Sequence, residues 1–197
     1  MIIVDTETTG LDPKKHSIVS IGAVDFAHPE NTFYVECKPF NGAEYQDEAL
    51  VINGFTKEEL EDPKRKTLYE ALNEFIAWTN TAEDRTLAGH NFTFDLAFLR
   101  AAMEIYNINW SPGKRIVDTH SICYAHHLKR GIMPPMKDGR TDLSFDKVLV
   151  YVGLSAEPKP HGALTGAKMA AEAFSRLIYG KPLYHEFEQF AVPEYLR

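Results

Sequence analysis

Three strand-like segments joined by short connections open this chain, and they constrain its fold more than any other feature. The segments run from Ile2 to Thr6, from Ser17 to Phe26 and from Thr32 to Pro39, and each is rich in Val, Ile, Phe or Tyr. Turn residues such as Asp12-Pro13 and His28-Pro29 separate them. Short connections of this kind predict an antiparallel meander.

Helical signals begin after the meander. Thr56-Lys57-Glu58-Glu59 is typical of a capped helix start, and apolar residues then recur at helical spacing, at Leu68, Leu72, Phe75 and Ile76. A short buried strand is predicted at 86–89, a helix from about Phe92 to Tyr106, and a further strand at 115–117. A meander followed by alternating strands and helices predicts an α/β fold, with a mixed central sheet covered by helices.

The chain is long enough to bury a core of its own. Its 197 residues, 44% of them hydrophobic, predict one globular domain. We assign residues 1–180 to this domain, and residues 181–197, which show no readable period, to a C-terminal extension of open role. An exposed loop is expected at 131–142, where two adjacent prolines and a glycine interrupt any periodic pattern.

Charge and cysteine content narrow the class of protein. The formal charge of −7 argues against a broad basic surface for long nucleic acids, although not against a nuclease whose metal ions supply positive charge locally. Cys37 and Cys123 form no C-x-x-C pair, so a disulfide framework or zinc ribbon is not expected. Without a basic n-region or a stretch long enough to span a bilayer, we expect a soluble, unprocessed cytoplasmic protein with no membrane partner. The oligomeric state is left open.

Two carboxylates follow the first apolar run at once. Alternate residues of a strand share a face, so Asp5 and Glu7 are expected to point the same way at about 7 Å spacing. Two neighbouring anions repel each other unless a cation lies between them, which favours a divalent metal site. The alternative is an ordinary strand end with two solvated acids before a Thr-Gly turn.

A third carboxylate is predicted on the inward face of a helix. If Asn91 caps the helix that follows it, Asp95 shares a face with Leu99, Ala102 and Tyr106, which should pack inward. A carboxylate there is costly unless it has a partner. The alternative is an Asp in the first turn that favours the helix dipole.

His161 follows the rigid segment Pro158-Lys159-Pro160 and precedes a helix that is expected to end at Gly180. A histidine on a loop braced by prolines is well placed to act as a general base near neutral pH. Alone, it is more typical of a surface or capping histidine. The two acidic motifs favour the catalytic interpretation.

The motifs together, in this order, resemble the DEDDh 3′-5′ exonucleases, a group that includes proofreading subunits of DNA polymerases and ribonuclease T. The resemblance is carried by four segments: Asp5-x-Glu7-Thr8-Thr9-Gly10-Leu11, Gly89-His90-Asn91-x-x-Phe94-Asp95, Asp118-Thr119 and His161-x-Ala163-Leu164. It implies a ribonuclease H-like fold, a mixed central sheet whose first three strands are antiparallel and which is flanked by helices. Asp118-Thr119 is expected to be structural.

The resemblance also implies a mechanism and a set of site residues. Two Mg²⁺ or Mn²⁺ ions, held by Asp5, Glu7 and Asp95, would support hydrolysis of single-stranded DNA or RNA 3′ ends to 5′-mononucleotides, with His161 taking a proton from the attacking water. Substrate contacts are expected at Thr6, Thr8, Thr9, Gly10, Leu11, Asn91 and Phe94. A polymerase or repair protein is the partner that the resemblance suggests, and the choice between DNA and RNA is left open.

One position departs from the family pattern. The family carries a last metal-binding Asp five residues after the histidine, and this chain has Gly166 there. We interpret Gly166 as a lost ligand, which predicts a reduced or abolished rate with retained binding of the strand end. The alternatives are a small residue that allows close helix packing, and a noncatalytic module that binds nucleic-acid ends or a polymerase. Glu172 lies too far along the helix to substitute, whereas Glu157 and Asp146 can be judged only from the fold.

Overall fold

The structure, a computed structural model, describes residues 1–110 and 112–197. The strands are β1 (Ile2–Thr8), β2 (Ile18–Asp25), β3 (Thr32–Glu36), β4 (Leu87–Gly89), β5 (Ile116–Asp118), β6 (Met136–Lys137) and β7 (Arg140–Thr141). The α-helices are α1 (Asp47–Asn53), α2 (Lys57–Leu60), α3 (Leu68–Thr79), α4 (Thr93–Ile105), α5 (Thr119–Lys129), α6 (Phe145–Tyr151) and α7 (Ala163–Tyr179), and two short 3-10 helices follow at His185–Phe187 and Glu194–Leu196.

The central sheet has the order β3-β2-β1-β4-β5. β1 pairs antiparallel with β2, and β2 with β3, whereas β4 pairs parallel with β1 and with β5. This confirms the predicted α/β architecture, with a mixed sheet and an antiparallel meander at its start. β1 extends to Thr8, two residues beyond its predicted end, and its pairing with β2 shifts register between Glu7 and Thr8.

Helices cover both faces of the sheet, which explains why every residue of β2 is buried. On one face Ile2 and Val4 belong to the core cluster that contains Phe75 of α3 and Leu99 of α4. On the other face Ile3 packs with residues of α7. The two faces alternate along β1 with the period of two that a pleated strand imposes.

The start of α7 lies directly against β2. A Cβ atom at Gly22 would lie 2.1 Å from the carbonyl carbon of Ala163, so the absence of a side chain there is what permits this close approach. Gly22 is also the cross-strand partner of Asp5. The contact therefore brings the first turn of α7 next to the acidic end of β1.

Several helix ends confirm the sequence prediction and one corrects it. Thr56 starts α2 with a capping box, and α7 ends at Gly180 in the left-handed conformation. Asn91, however, does not cap α4, because it has a φ of 49° and the N-cap is Phe92. Oδ2 of Asp118 accepts the Phe92 N–H at 2.8 Å, so a carboxylate on a neighbouring strand replaces the predicted cap.

Asp118 has the structural role that was predicted for it. Besides the Phe92 N–H, it accepts the backbone N–H of His120 through Oδ1 at 2.8 Å and so caps α5. One carboxylate thus fixes the starts of both α4 and α5. Asp118 thereby fixes the position of α4, which carries Asp95, relative to the edge of the sheet.

The C-terminal segment packs against α7. Val192 and Leu196 are buried in the cluster that contains Leu177. The guanidinium of Arg176 is fully buried and pairs with Glu172 at 2.6 Å. No helix of the described residues is long and apolar enough to cross a membrane.

Candidate active site

Asp5 and Glu7 project from the C-terminal half of β1 into a cleft of about 210 Å³. Nine residues line it: Asp5, Thr6, Glu7, His90, Asn91, Phe94, Asp95, Glu157 and His161. They come from β1, the β4–α4 connection, α4 and the loop before α7, segments that are far apart in the chain. The structure therefore brings all four residues predicted to be catalytic, Asp5, Glu7, Asp95 and His161, to one place.

Asp95 lies in the first turn of α4 and is 4% exposed. Its Oδ1 accepts the backbone N–H of Thr6 at 2.9 Å and the Thr6 hydroxyl at 2.7 Å. These two hydrogen bonds supply the partner that a buried carboxylate needs and tie α4 to β1. Thr6 thus has a clear role in positioning Asp95, and its predicted contact with substrate stays a prediction.

His161 is held at the mouth of the cleft by its backbone. Its N–H donates to the carbonyl of Ile52 in α1 at 2.9 Å. Its ring is partly exposed, and Nδ1 lies 3.5 Å from Oε2 of Glu157. α1 was not predicted from the sequence, yet it anchors the loop that carries this histidine.

Glu157 is the residue of this site that sequence reasoning did not assign. Its side chain is 7% exposed, and its backbone N–H donates to Oδ1 of Asp146 at 3.0 Å. Ligand atoms of Glu7, Glu157 and His161 all lie within 4.8 Å of one another. Oε1 of Glu157 is buried without a hydrogen-bond partner among the described residues. Its only sequence signal is an acid four residues before His161, which is too common to single it out.

Gly166 lies beside these carboxylates. A Cβ atom built on it would lie 2.6 Å from Oδ2 of Asp5 and 3.2 Å from Oε1 of Glu157. The position that departs from the family pattern therefore faces the cleft. Glu172, by contrast, is buried against Arg176 and is not among the residues that line the cleft, in agreement with the expectation that it does not substitute.

Burial of so many acids in one place changes their protonation. Burial, followed by repulsion from Asp95, Glu7 and Glu157, raises the pKa of Asp5 well above its usual range. Burial also raises the pKa of Glu7 and of Asp95 to about 7, and that of Glu157 to about 8. Burial lowers the pKa of His161, although Asp146 opposes the shift, so its ring is neutral at neutral pH.

The residues present fit a hard divalent cation. Neither Lys nor Arg is among the nine residues that line the cleft, so the acids have no cationic side chain beside them there. Carboxylate oxygens are the ligands that Mg²⁺ and Mn²⁺ prefer. Oε1 of Glu157, which has no hydrogen-bond partner in the described part of the chain, is an acceptor that such an ion would satisfy.

The metal-free protein is expected to lose stability as the pH rises from about 6.5 to about 8. In this range the unfolded chain has released the protons that folded Glu7, Asp95 and Glu157 still hold, so the stability present at low pH is lost as the pH passes their raised pKa values. Burial lowers the pKa of His90 and of His161, so these two histidines oppose the trend, mainly below about pH 6.5, where the unfolded imidazoles become charged.

One pKa unit corresponds to about 1.4 kcal/mol for each group, so we expect the three acids together, less the opposing effect of the histidines, to cost about 2–3 kcal/mol over this interval. Thermal unfolding in EDTA across it measures the loss, which should amount to a few degrees. Glu157→Gln should flatten the slope, and saturating Mn²⁺ should reverse it. A stability that rises with pH in EDTA would contradict the assignment.

The predicted substrate contacts divide into two groups. Thr6, Asn91 and Phe94 line the cleft. The remaining four lie outside its lining: Thr8, Thr9, Gly10 and Leu11. The Thr9 hydroxyl donates to the Glu44 carbonyl, and the side chain of Leu11 is 72% exposed. The proposed contacts of these four with substrate stay predictions.

His90, like Glu157, lines the cleft although the sequence predicted no role for it. It lies within the second of the four motif segments. Its Nδ1 lies 2.8 Å from the Thr119 hydroxyl, and its ring centroid is 5.1 Å from that of Phe145. Burial lowers its pKa to about 4, so it is neutral. Its place in the sequence, between β4 and Asn91, was the available signal.

The fold and the sequence both have close counterparts among known proteins. The nuclease domain of 3′hExo, described as a DEDDh family member, aligns with 98% of this chain and 95% of its own length, with a TM-score of 0.70 and 17% identity. Exonuclease I of E. coli aligns with 91% of this chain and 40% of its own length, with a TM-score of 0.66 and 18% identity. At these identities the likeness shows the ribonuclease H-like fold.

Sequence relatives include polymerase components and a ribonuclease. DNA polymerase III PolC-type of Thermotoga maritima is 28% identical over 90% of this chain, which spans only 12% of that protein. The DNA polymerase III subunit epsilon of Rickettsia prowazekii is 38% identical over 91% of this chain and 74% of its own length. Ribonuclease T of Klebsiella pneumoniae is 24% identical over 90% of this chain and 83% of its own length.

The family model described as Exonuclease, of the ribonuclease T type, matches residues 2–174. The match begins with β1 and continues well into α7, so it includes every element that contributes to the cleft. The chain therefore belongs to the exonuclease family, and it has the ribonuclease H-like fold of the DEDDh nucleases.

Proposed function

We propose that this chain is a metal-dependent 3′-5′ exonuclease that releases 5′-mononucleotides from the 3′ ends of single-stranded DNA or RNA. The observation that carries the proposal is the convergence of Asp5, Glu7, Asp95 and His161 on one cleft whose lining includes neither Lys nor Arg. The direction of hydrolysis is supported by the resemblance of the motifs to DEDDh 3′-5′ exonucleases.

Each acid has a distinct part in this proposal. Two Mg²⁺ or Mn²⁺ ions, when bound, would neutralise the acids and the charge that develops on the scissile phosphate. Asp5 lies centrally, because its charge interacts with those of both Asp95 and Glu7, and we assign it to both ions. Glu7 is assigned to the side of the attacking water, next to His161, and Asp95 to the opposite side.

His161 is assigned the proton transfer. Its ring is neutral at neutral pH, so it is able to accept a proton from the attacking water. Nδ1 lies 3.5 Å from Oε2 of Glu157, which leaves Nε2 as the atom that accepts this proton. Its anchor on the Ile52 carbonyl holds the ring at the cleft.

The strand end is proposed to rest on apolar surface beside the acids. Phe94 lines the cleft, and Leu11 presents a largely exposed side chain from a turn whose backbone N–H donates to Gln46 at 3.1 Å. Apolar and aromatic contact with a base face does not depend on base identity. We therefore propose degradation without strong sequence preference.

Two observations bear on the partner and the cellular location of this activity. Similarity to the epsilon subunit of DNA polymerase III supports a polymerase or repair protein as partner. A cytoplasmic location agrees with Cys37 and Cys123 both being free thiols.

The second candidate function is a noncatalytic module that binds nucleic-acid ends, and Gly166 is the observation that favours it. The loss of a carboxylate at this position predicts, by itself, weaker binding of the ion beside the attacking water and a reduced rate. Glu157 lies next to this position and is available to offset the loss.

A labelled-strand assay tests the proposal. With Mn²⁺, a 3′-labelled single strand should yield labelled 5′-mononucleotide in the first turnover, and a 5′-labelled strand should yield a ladder of shortened products. His161→Ala should lower the rate about a hundredfold or more, because general-base catalysis contributes at least that much. His185→Ala, at a side chain that is 96% exposed, is the matched control.

The outcomes separate the two candidates. Mononucleotide release that depends on Mn²⁺ and on His161 supports the exonuclease. Release of label from the 5′ end first would contradict the proposed direction. Strand binding without turnover, for both DNA and RNA, would favour the noncatalytic module.

A further inference from the structure

We propose that Glu157 supplies the metal-binding carboxylate that related exonucleases carry at the position of Gly166, so that the site of this chain is complete. The inference rests on the proposed function, because it concerns the ions that this function requires. It replaces the expectation of an impaired site by a site whose fourth acid comes from a different segment of the chain.

The first step is the position of Gly166. α7 crosses β2 at Gly22, the cross-strand partner of Asp5, and this places Gly166 against the Asp5 carboxylate. A side chain at 166 would begin 2.6 Å from Oδ2 of Asp5. The helix therefore presents this position to the metal-binding acids and offers them no oxygen.

The second step is that Glu157 extends to the same place. Oε1 of Glu157 lies 3.2 Å from the point at which a Cβ of residue 166 would stand. A side chain at 166 would thus begin in close contact with the carboxylates of both Asp5 and Glu157. With glycine at 166, the Glu157 carboxylate lies beside Asp5 without this crowding.

The third step is the state of the Glu157 side chain. It is 7% exposed, and its Oε1 is buried with no hydrogen-bond partner in the part of the chain that the structure describes. Burying a carboxylate oxygen without a partner is costly, and a bound ion is one of the partners that would offset this cost. A carboxylate oxygen of Glu7 lies within 4.8 Å of a carboxylate oxygen of Glu157, and a divalent cation is the partner that suits both acids.

The fourth step is that the loop is built to hold Glu157 in this position. Its backbone N–H donates to Asp146 at the start of α6, at 3.0 Å. At the other end of the loop, the His161 N–H donates to Ile52 in α1 at 2.9 Å. Two helices therefore anchor the segment on either side of its prolines.

Another role for Glu157 has to be separated from this one. Its Oε2 lies 3.5 Å from Nδ1 of His161, so the residue is also placed to orient the imidazole. That role uses Oε2 and leaves Oε1, which faces Gly166, without a hydrogen-bond partner in residues 1–110 and 112–197. An orienting residue affects proton transfer, whereas a ligand also affects metal affinity.

The affinity of the full chain for Mn²⁺ tests the inference directly. It is measured by titration, following the loss of the electron paramagnetic resonance signal of free Mn²⁺. Glu157→Gln keeps the shape of the side chain and removes its charge, and it should weaken Mn²⁺ binding about tenfold or more. Glu83→Gln, at an exposed acid outside the cleft, makes the same change in net charge and should leave binding unchanged.

A second variant keeps the test decisive. Gly166→Asp in the Glu157→Gln background restores a carboxylate beside Asp5 and should recover both Mn²⁺ affinity and mononucleotide release. Gly166→Ala in the same background adds the Cβ without the acid and should recover neither. Thermal unfolding in EDTA establishes that each variant is folded.

The inference and the proposed function fail in different ways. Wild-type Mn²⁺ affinity in folded Glu157→Gln would overturn the inference, even if the rate fell, because Glu157 would then act only through His161. Glu157-dependent Mn²⁺ binding without hydrolysis of any strand would uphold the inference and overturn the proposed function. Equal hydrolysis and equal Mn²⁺ affinity in wild type and Glu157→Gln would do the reverse.

Discussion

Replacing Asp5 with Asn is expected to abolish hydrolysis and, at the same time, to stabilise the metal-free protein. The charge of Asp5 is repelled by those of Asp95, Glu7 and Glu157, so removing it relieves repulsion inside the cleft. The same central position makes it the proposed ligand of both ions. A change that improves the fold and ends the chemistry is the signature of a residue kept for function.

The expected changes concern the rate of hydrolysis and the free energy of unfolding. Loss of two metal-ion contributions of several kcal/mol each lowers the rate by about 10⁴-fold or more. The unfolding free energy of the metal-free protein should rise near pH 8, at which the unfolded carboxyl is fully ionised, because Asn brings no charge into the cleft. Adding Mn²⁺ should stabilise wild type and have little effect on Asp5→Asn.

Mononucleotide release and thermal unfolding with and without EDTA measure the two effects. Glu83→Gln serves as the control for a lost negative charge on the surface and should change neither quantity. If Asp5→Asn lost activity together with stability in EDTA, Asp5 would be a structural residue and the cleft would need another explanation.

Replacing Arg176 with Ala is expected to cost about 3–5 kcal/mol of unfolding free energy, because it leaves a buried charge without its partner. Arg176 pairs with Glu172 at 2.6 Å and donates to the carbonyls of Val152, Phe187 and Phe190. The carboxylate left behind would keep only backbone donors from the start of the C-terminal segment.

Chemical denaturation measures this loss, and Arg100→Ala, at an exposed residue of α4, is the matched control with an expected change within about 0.5 kcal/mol. The specific activity of the fraction that remains folded should be unchanged, since Arg176 and Glu172 do not line the cleft. A stability loss equal to that of Arg100→Ala would refute the importance of the pair.

This pair also suggests a role for the C-terminal extension. Residues 181–197 contribute backbone carbonyls to Arg176 and backbone N–H groups to Glu172, and they bury Val192 and Leu196. The extension therefore supplies hydrogen-bond partners to both members of a buried ion pair on α7. Backbone groups and scattered apolar contacts join it to the rest of the chain, in keeping with the absence of a readable period in its sequence.

Elements with strong local signals were predicted well from the sequence. The β1–β3 meander, the capping box at Thr56 and the end of α7 at Gly180 each depend on residues a few positions apart. α1 was missed because Gln46 provides no side-chain cap and the helix exposes apolar residues such as Val51. Tertiary contacts hold it instead, including the hydrogen bond from Asn53 to the Thr8 carbonyl.

The same distinction applies to the cleft. Asp5 and Glu7 share a strand, so their proximity follows from local geometry alone. The cap of α4 was wrongly assigned to Asn91 because its actual acceptor, Asp118, lies on another strand. Glu157 could not be assigned because its proposed role depends on its position next to Gly166, a residue of α7 without a side chain.

The contact between position 166 and Glu157 has a consequence for how sequence motifs of this family are interpreted. A Cβ atom at 166 would lie 3.2 Å from Oε1 of Glu157, so two positions nine residues apart in the chain lie at one point of the cleft. A motif records which residue stands at a given place in the sequence, whereas a metal ion responds to where an oxygen lies in space. If Glu157 binds the metal as proposed, a missing letter in the motif does not by itself identify an inactive chain, and the neighbours of that position in the fold have to be inspected before activity is assigned.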